Sequence, residues 1–115
     1  MVNRIVVGAH YGLRDWLAQR ITAVVMALYT LIMTAYLLPQ PLAGFEQWKA
    51  AFSPQWVRVL TLLCLLCLFF HAWIGVRDIL MDYIKQAGIR LTLHVMTILA
   101  LAGYAIWAIA ILWGL

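Results

Sequence analysis

The stretch from Val59 to Val76 reads VLTLLCLLCLFFHAWIGV and contains no Asp, Glu, Lys or Arg residue. Eighteen helical residues reach roughly 27 Å, close to the ~30 Å hydrocarbon thickness of a bilayer. Because lipid offers no hydrogen-bond partner to the backbone, a segment that crosses it must be helical. Two further uncharged stretches, Ile21–Leu38 and Leu91–Leu115, meet the same length requirement. The sequence therefore predicts an all-α membrane protein with three transmembrane helices.

The composition excludes a water-soluble enzyme. Hydrophobic residues make up 67% of the 115 residues and charged residues only 10%, whereas soluble domains carry roughly 25% charged residues. The formal net charge is +4, but the eight Lys and Arg residues are scattered singly and form no stripe that could follow a phosphate backbone. We expect one transmembrane domain over residues 1–115, surrounded by membrane lipid, with no nucleic-acid partner.

Lys and Arg residues divide unevenly between the two sides of the predicted bundle. The first connection carries only Lys49 and Arg58, and the C-terminus carries none. The other side carries six: Arg4, Arg14, Arg20, Arg77, Lys85 and Arg90. The positive-inside rule then predicts a cytoplasmic N-terminus and a periplasmic C-terminus. The first apolar run is longer than a signal-peptide core and no small-residue cleavage site follows it, so we expect an uncleaved multi-pass protein of the bacterial inner membrane.

The first connection contains signals for a helix end and for a short surface helix. Pro39 and Pro41 are expected to end the first transmembrane helix. In the segment 44–52, three aromatic residues recur at helical spacing opposite two charged ones, Glu46 and Lys49. This pattern predicts an interfacial helix lying on the periplasmic surface.

Polar residues inside an apolar span cost free energy and are therefore candidates for a functional role. His71 stands five residues before the end of the second span, and its imidazole is a suitable ligand for haem iron. The alternative is a histidine that is hydrogen-bonded to a neighbouring helix. Gly75, one turn further on, would let either a flat macrocycle or another helix approach. On a continuing helix, Asp78 and Asp82 would share this face at the cytoplasmic rim.

The remaining polar residues near the membrane edge each have two interpretations. Tyr83 could donate a hydrogen bond to a quinone carbonyl, or it could be an interfacial aromatic anchor. Asp78 and Asp82 could deliver protons, or form a solvated helix end paired with Arg77 or Lys85. Arg20 could pair with a haem propionate, or only mark the cytoplasmic side. Two histidines of one chain, His71 and the similarly deep His94, could also ligate one haem.

Three segments carry a resemblance to a known family. They are DWLAQRITA at residues 15–23, HAWIG at residues 71–75 and DYIK at residues 82–85. With the three-helix architecture, they resemble the hydrophobic membrane anchor of succinate dehydrogenase, the smaller, D-type anchor of the cytochrome b-containing succinate:ubiquinone oxidoreductase. The resemblance runs from about Asp15 to the C-terminus.

The resemblance implies a role for four residues. His71 matches an axial ligand of the iron of haem b, whose other ligand comes from a second hydrophobic anchor subunit of the C type. Tyr83 matches the tyrosine that hydrogen-bonds ubiquinone, with Asp82 at the same site. Arg20 matches an arginine near the haem propionates.

The resemblance also implies a multi-subunit enzyme in which this chain has no catalytic residue. A flavoprotein subunit oxidises succinate, and an iron–sulfur subunit passes the electrons to ubiquinone at the cytoplasmic face. Two alternatives stay open: a self-contained small membrane cytochrome b that uses His71 and His94, and a non-redox transporter or assembly protein that uses Asp78 and Asp82. The related fumarate reductase anchors also remain an option.

Overall fold

The computed structural model describes the backbone of residues 7–114 and the side chains of residues 13–114. This part of the chain is all helical, without a strand. Arg4 and Leu115, which entered the sequence analysis, lie outside it. The four helices are α1 (Val7–Leu37), α2 (Phe45–Ala51), α3 (Gln55–Tyr83) and α4 (Ala87–Gly114). Because α1, α3 and α4 are each long and apolar enough to cross a bilayer, the chain is a multi-pass membrane protein, as predicted.

The three long helices extend beyond the uncharged stretches that predicted them. Helix α3 has 29 residues and is therefore about 43 Å long, more than the ~30 Å hydrocarbon core requires. It begins four residues before Val59 and ends seven residues after Val76. The extra turns carry charged side chains that water at the membrane surface can solvate. An uncharged stretch thus marks the part of a helix that lies in lipid, and not the ends of the helix.

The first connection follows the sequence prediction. Helix α1 ends at Leu37, two residues before Pro39, and the N–H of Gln40 bonds the Leu37 carbonyl at 3.0 Å. Helix α2 occupies seven of the nine residues predicted to form a surface helix. The rings of Trp48 and Phe52 stack with centroids 6.4 Å apart. Both rings face the end of α4 across a hollow of about 250 Å³. The predicted helix and its aromatic face are therefore present.

Helix α3 is central and packs against both α1 and α4. Three polar contacts and one edge-to-face aromatic contact join α1 to α3 at four levels, which we call rungs. The rungs are Asp15–Arg77, Thr22–His71, Tyr29–Thr61 and Tyr36–Trp56. Residue numbers rise along α1 while they fall along α3, so these two helices are antiparallel. The rungs fix which residues of α1 lie beside His71.

Few side chains are buried within this single chain. Only 6–11% of the residues in each membrane-spanning window are buried. Large apolar side chains point outward along all three long helices. Such surfaces are stable only against lipid or against another membrane protein.

Candidate functional site

His71 lies on the side of α3 that faces α1. Its Nδ1 is 2.9 Å from the hydroxyl oxygen of Thr22. Thr22 is 7% exposed, so this contact is shielded within the helix pair. Among residues 13–114 the imidazole makes no other hydrogen bond, which leaves Nε2 without a protein partner in that part of the chain. The residue therefore combines both interpretations from the sequence: it bonds a neighbouring helix through one nitrogen and retains the other as a possible ligand.

Gly75 leaves open space one turn from His71. A Cβ atom built at Gly75 would meet no heavy atom within 4 Å. No helix in the described part of this chain therefore packs closely on it. The space suits either a flat group or a helix of another subunit, so both interpretations of Gly75 from the sequence stay open. Next to an imidazole with a free nitrogen, it suits a porphyrin bound from one side.

The donor set is compatible with haem, which needs fewer protein ligands than a bare metal ion. Within the described residues, no three His, Cys, Asp or Glu side chains come together as a metal site. A haem iron is already held by its macrocycle and needs only one or two axial ligands from protein. A single imidazole per chain is sufficient for that purpose.

His94 of α4 contacts another side of α3 than the one on which His71 lies. Its ring contacts Trp73 edge to face, with centroids 5.5 Å apart. His71 and Trp73 are two residues apart on one helix, so their side chains diverge by about 200°. Nε2 of His94 is buried without a hydrogen-bond partner among residues 13–114. The fold of one chain thus does not bring the two histidines together around one iron.

A cavity of about 490 Å³ with charged side chains in its wall lies near the C-terminal end of α3. It is lined by Asp15, Arg77, Asp78, Met81 and Asp82. Arg77 forms an ion pair with Asp15 across the helix pair, and its Nε lies 3.9 Å from Oδ1 of Asp78. The prediction that Asp78 and Asp82 share a face is confirmed, and so is the pairing of Asp78 with Arg77. Arg77 thus contacts two carboxylates, those of Asp15 and Asp78, and the third carboxylate, that of Asp82, lines the same cavity.

Tyr83 lies at the edge of this region and not in the cavity wall. It is the last residue of α3 and is 76% exposed. Adjacent helical residues diverge by about 100°, which separates the phenol from the direction of Asp82. Twelve residues separate Tyr83 from His71, or about 18 Å along the helix axis. The structure therefore contains two distinct candidate sites on α3: the imidazole site and the rim site.

Arg20 lies on the outer surface of α1. Its guanidinium carbon is 5.2 Å from the centroid of the Trp16 ring, a cation–π contact one turn away. It is two residues from Thr22, so it points about 200° away from the side that faces His71. The residue is exposed and can meet an anionic group only beside the outer surface of α1.

Thr22 and Asp15 were not singled out as site residues in the sequence analysis. A signal for them was present: the α1 residues of the four rungs, 15, 22, 29 and 36, are spaced seven apart. Seven residues are close to two helical turns, so these side chains share one stripe. A count of apolar residues does not reveal this stripe, because the residues around it also lie against lipid or protein.

Comparisons with known proteins agree with this architecture. A protein-family model described as "Succinate dehydrogenase/Fumarate reductase transmembrane subunit" matches residues 3–112. A curated relative from Coxiella burnetii (strain RSA 493 / Nine Mile phase I), named succinate dehydrogenase hydrophobic membrane anchor subunit, is 40% identical over 102 residues. The alignment covers 89% of this chain and 89% of the relative. The chain therefore belongs to the family of succinate dehydrogenase and fumarate reductase transmembrane subunits.

Proposed function

We propose that this chain is a membrane-anchor subunit of a bacterial succinate:quinone oxidoreductase, in which His71 ligates haem b and the rim of α3 forms part of the ubiquinone site. The observation that carries the haem assignment is the environment of His71. Its Nδ1 is held by Thr22 while its Nε2 has no partner among the described side chains. Gly75 provides open space one turn away.

The second axial ligand would come from a second, C-type anchor subunit. His94 cannot supply it within the same chain, since it contacts Trp73 on another side of α3. Haem b held by two histidines, one from each anchor subunit, would supply one-electron transfer. Within this chain, His71 would hold the iron and Gly75 would give the ring room. The Arg20 guanidinium lies on the outer surface of α1 and would pair with a propionate only if that group reached this surface.

The rim site would receive the ubiquinone head group. The cavity has a volume within the ~300–1,000 Å³ range of small-molecule sites. Asp82 lies in its wall, and the exposed phenol of Tyr83 follows directly at the end of α3. Tyr83 would donate a hydrogen bond to a quinone carbonyl, and Asp82 would pass protons toward the reduced ring. The wall carries charged side chains beside the apolar Met81, and partner subunits would close the site around the quinone.

The anchoring role follows from the exposed surfaces. The outward apolar side chains of α1, α3 and α4 would contact the C-type anchor and lipid. The end of the bundle with Asp15, Arg77 and Tyr83 would face the cytoplasm and receive the iron–sulfur and flavoprotein subunits. Succinate oxidation would take place on the flavoprotein, and this chain would supply no catalytic residue to it.

Replacement of the two histidines tests the haem assignment. The complex is purified after co-expression with its partner subunits, carrying either His71→Ala or the matched control His94→Ala. We expect the reduced haem spectrum to be lost or changed to that of a five-coordinate iron in His71→Ala, because one axial ligand is missing. His94→Ala should keep the original spectrum. An unchanged low-spin spectrum in His71→Ala would refute the assignment.

Replacement of Tyr83 tests the quinone assignment separately. Tyr83→Phe removes the hydroxyl and keeps the ring, and a lost hydrogen bond of 0.5–1.5 kcal/mol corresponds to at most about a tenfold change. We expect succinate:ubiquinone activity to fall by several-fold while succinate oxidation with a soluble dye is unchanged. Tyr104→Phe on α4 is the matched control. Equal quinone activity in all three proteins would exclude Tyr83 from the site.

A further inference from the structure

We propose that Thr22 is a positioning residue for His71: its hydroxyl fixes the imidazole in the tautomer whose Nε2 lone pair is available to iron. The inference rests on the haem role proposed above. It concerns a residue of α1 for which the sequence analysis predicted no role. The contact that supports it is the 2.9 Å separation between Thr22 Oγ1 and His71 Nδ1.

The direction of this hydrogen bond follows from the number of protons on the hydroxyl. A threonine hydroxyl has one hydrogen to donate. The Thr22 oxygen lies 2.7 Å from the carbonyl oxygen of Ala18 and 3.1 Å from that of Gln19, neither of which can donate. The hydroxyl hydrogen is therefore directed to these carbonyls. Thr22 Oγ1 is left as an acceptor, and Nδ1 of His71 must carry the hydrogen.

The tautomer decides which nitrogen can bind a metal. A neutral imidazole with its hydrogen on Nδ1 has its lone pair on Nε2. Metal-binding histidines commonly donate their second N–H to a protein acceptor, which fixes the ring orientation and raises the basicity of the ligand. The chain of bonds from His71 through Thr22 to the Ala18 carbonyl has this form. The acceptor here is a neutral hydroxyl that is 7% exposed, and water has little access to replace it.

The same helix pair contains a contact that serves as a control. Thr61 lies on α3 and its hydroxyl is 2.8 Å from that of Tyr29 on α1. Thr61 is as buried as Thr22, at 9% and 7% exposed. A purely structural interhelical hydrogen bond would behave alike in both places. Only the Thr22 bond ends on an imidazole.

The experiment compares Thr22→Val, Thr22→Ser and Thr61→Val in the purified complex with its partner subunits. The readouts are the haem-to-protein ratio, the low-spin EPR g values of the oxidised haem and its midpoint potential. Loss of a supporting partner of a metal ligand typically costs about 10–100-fold in affinity. We expect Thr22→Val to weaken haem retention by that order and to change the g values. The midpoint potential should rise, because a less basic imidazole stabilises ferric iron less.

Thr22→Ser should keep all three properties, since it retains the acceptor oxygen, and Thr61→Val should leave the haem signals unchanged. Wild-type retention, g values and potential in Thr22→Val would overturn the proposal. If Thr22→Val fails to assemble, the pair Thr22→Ser and Thr22→Ala decides, because only the first retains the hydroxyl; identical haem signals in that pair would also overturn it. Failure of the haem role itself is recognised independently, by an unchanged spectrum in His71→Ala.

Discussion

The two histidines of the membrane-spanning segments have opposite hydrogen-bond environments. His71 has a threonine acceptor on one nitrogen and no described protein partner on the other. The buried Nε2 of His94 lacks any partner among residues 13–114, and the ring contacts Trp73 through its edge. An unsatisfied buried polar group costs about 1–3 kcal/mol. The pairing of His71 with Thr22 avoids that cost at Nδ1, and Nε2 is not among the buried unpaired atoms of the described residues.

Substitution of Gly75 tests whether the open space beside His71 is occupied in the complex. Gly75→Leu should be accepted by the chain itself, because a Cβ there meets nothing within 4 Å. We expect the complex to lose most of its haem, since the side chain would fill the space into which the macrocycle extends. The haem-to-protein ratio and the reduced spectrum measure this effect.

Gly103→Leu is the matched control for this substitution. Gly103 lies in α4, and a Cβ there also meets nothing within 4 Å. It should leave the haem content unchanged. Full haem occupancy in Gly75→Leu would mean that the porphyrin lies elsewhere around His71.

At the scale of the helix, the four rungs set the register between α1 and α3 and contribute modestly to stability. Interhelical hydrogen bonds in membrane proteins average about 0.6 kcal/mol, with a maximum near 1.7 kcal/mol. The Asp15–Arg77 pair is about one-third exposed, and such exposed pairs contribute about 0–1 kcal/mol. The main effect of the rungs is to fix the register of the two helices, because a one-residue slip would turn all four polar side chains of α1 away from α3.

Removal of the Tyr29–Thr61 rung should have a small, non-additive effect. Each of Tyr29→Phe and Thr61→Val is expected to weaken the α1–α3 contact by about 0.6 kcal/mol. Because both substitutions break the same 2.8 Å contact, the double variant should be no weaker than the weaker single one. The resistance of the purified complex to increasing SDS measures the effect.

Tyr104→Phe provides the comparison for this rung. Tyr104 approaches Phe69 through its ring, with centroids 6.4 Å apart, so loss of its hydroxyl should not change SDS resistance. Strictly additive losses in the Tyr29 and Thr61 double variant would show that the two hydroxyls do not act as a pair.

The helices were predictable from sequence, whereas the partner of His71 was not. An uncharged stretch of about 18 residues can form few structures other than a transmembrane helix, and Pro39 marks the end of α1. Thr22 lies in a stretch where each neighbouring residue is also apolar or small, so composition alone gives no direction to its side chain. Knowing which side of α1 faces α3 requires the packed pair. Once that side is known, the spacing of seven residues identifies Thr22 and Asp15 immediately.

For the molecule as a unit, the fold leaves apolar surfaces that lipid or other proteins must cover. The described part of the chain extends 66 × 27 × 20 Å, and many of its large apolar side chains point outward. The sequence could predict this exposure from the short connections, but it could not predict which surface meets lipid and which meets protein. Packing between membrane proteins depends on the shape of each surface and on where its small residues lie, and composition gives neither.

The orientation of the three helices in the membrane decides which side would receive the soluble subunits. Ser53→Cys and Gln86→Cys place thiols at opposite ends of α3 and leave every charged residue, and therefore the positive-inside signal, unchanged. We expect an impermeant thiol reagent to label Ser53→Cys in intact cells and Gln86→Cys only after lysis. The native Cys64 and Cys67 lie mid-span in α3, where a charged reagent does not enter lipid.

Labelling in the wild-type chain measures the contribution of those two native cysteines and should be negligible before and after lysis. The Gln86 position adjoins the rim site, so its side of the membrane is also the side of the proposed quinone site. If Gln86→Cys reacts in intact cells and Ser53→Cys does not, the bundle is inverted. The rim carboxylates would then face the periplasm, and the iron–sulfur subunit would have to dock there or the quinone site would have to lie at the other end of α3. The labelling result therefore tests the membrane topology and the location of the quinone site together.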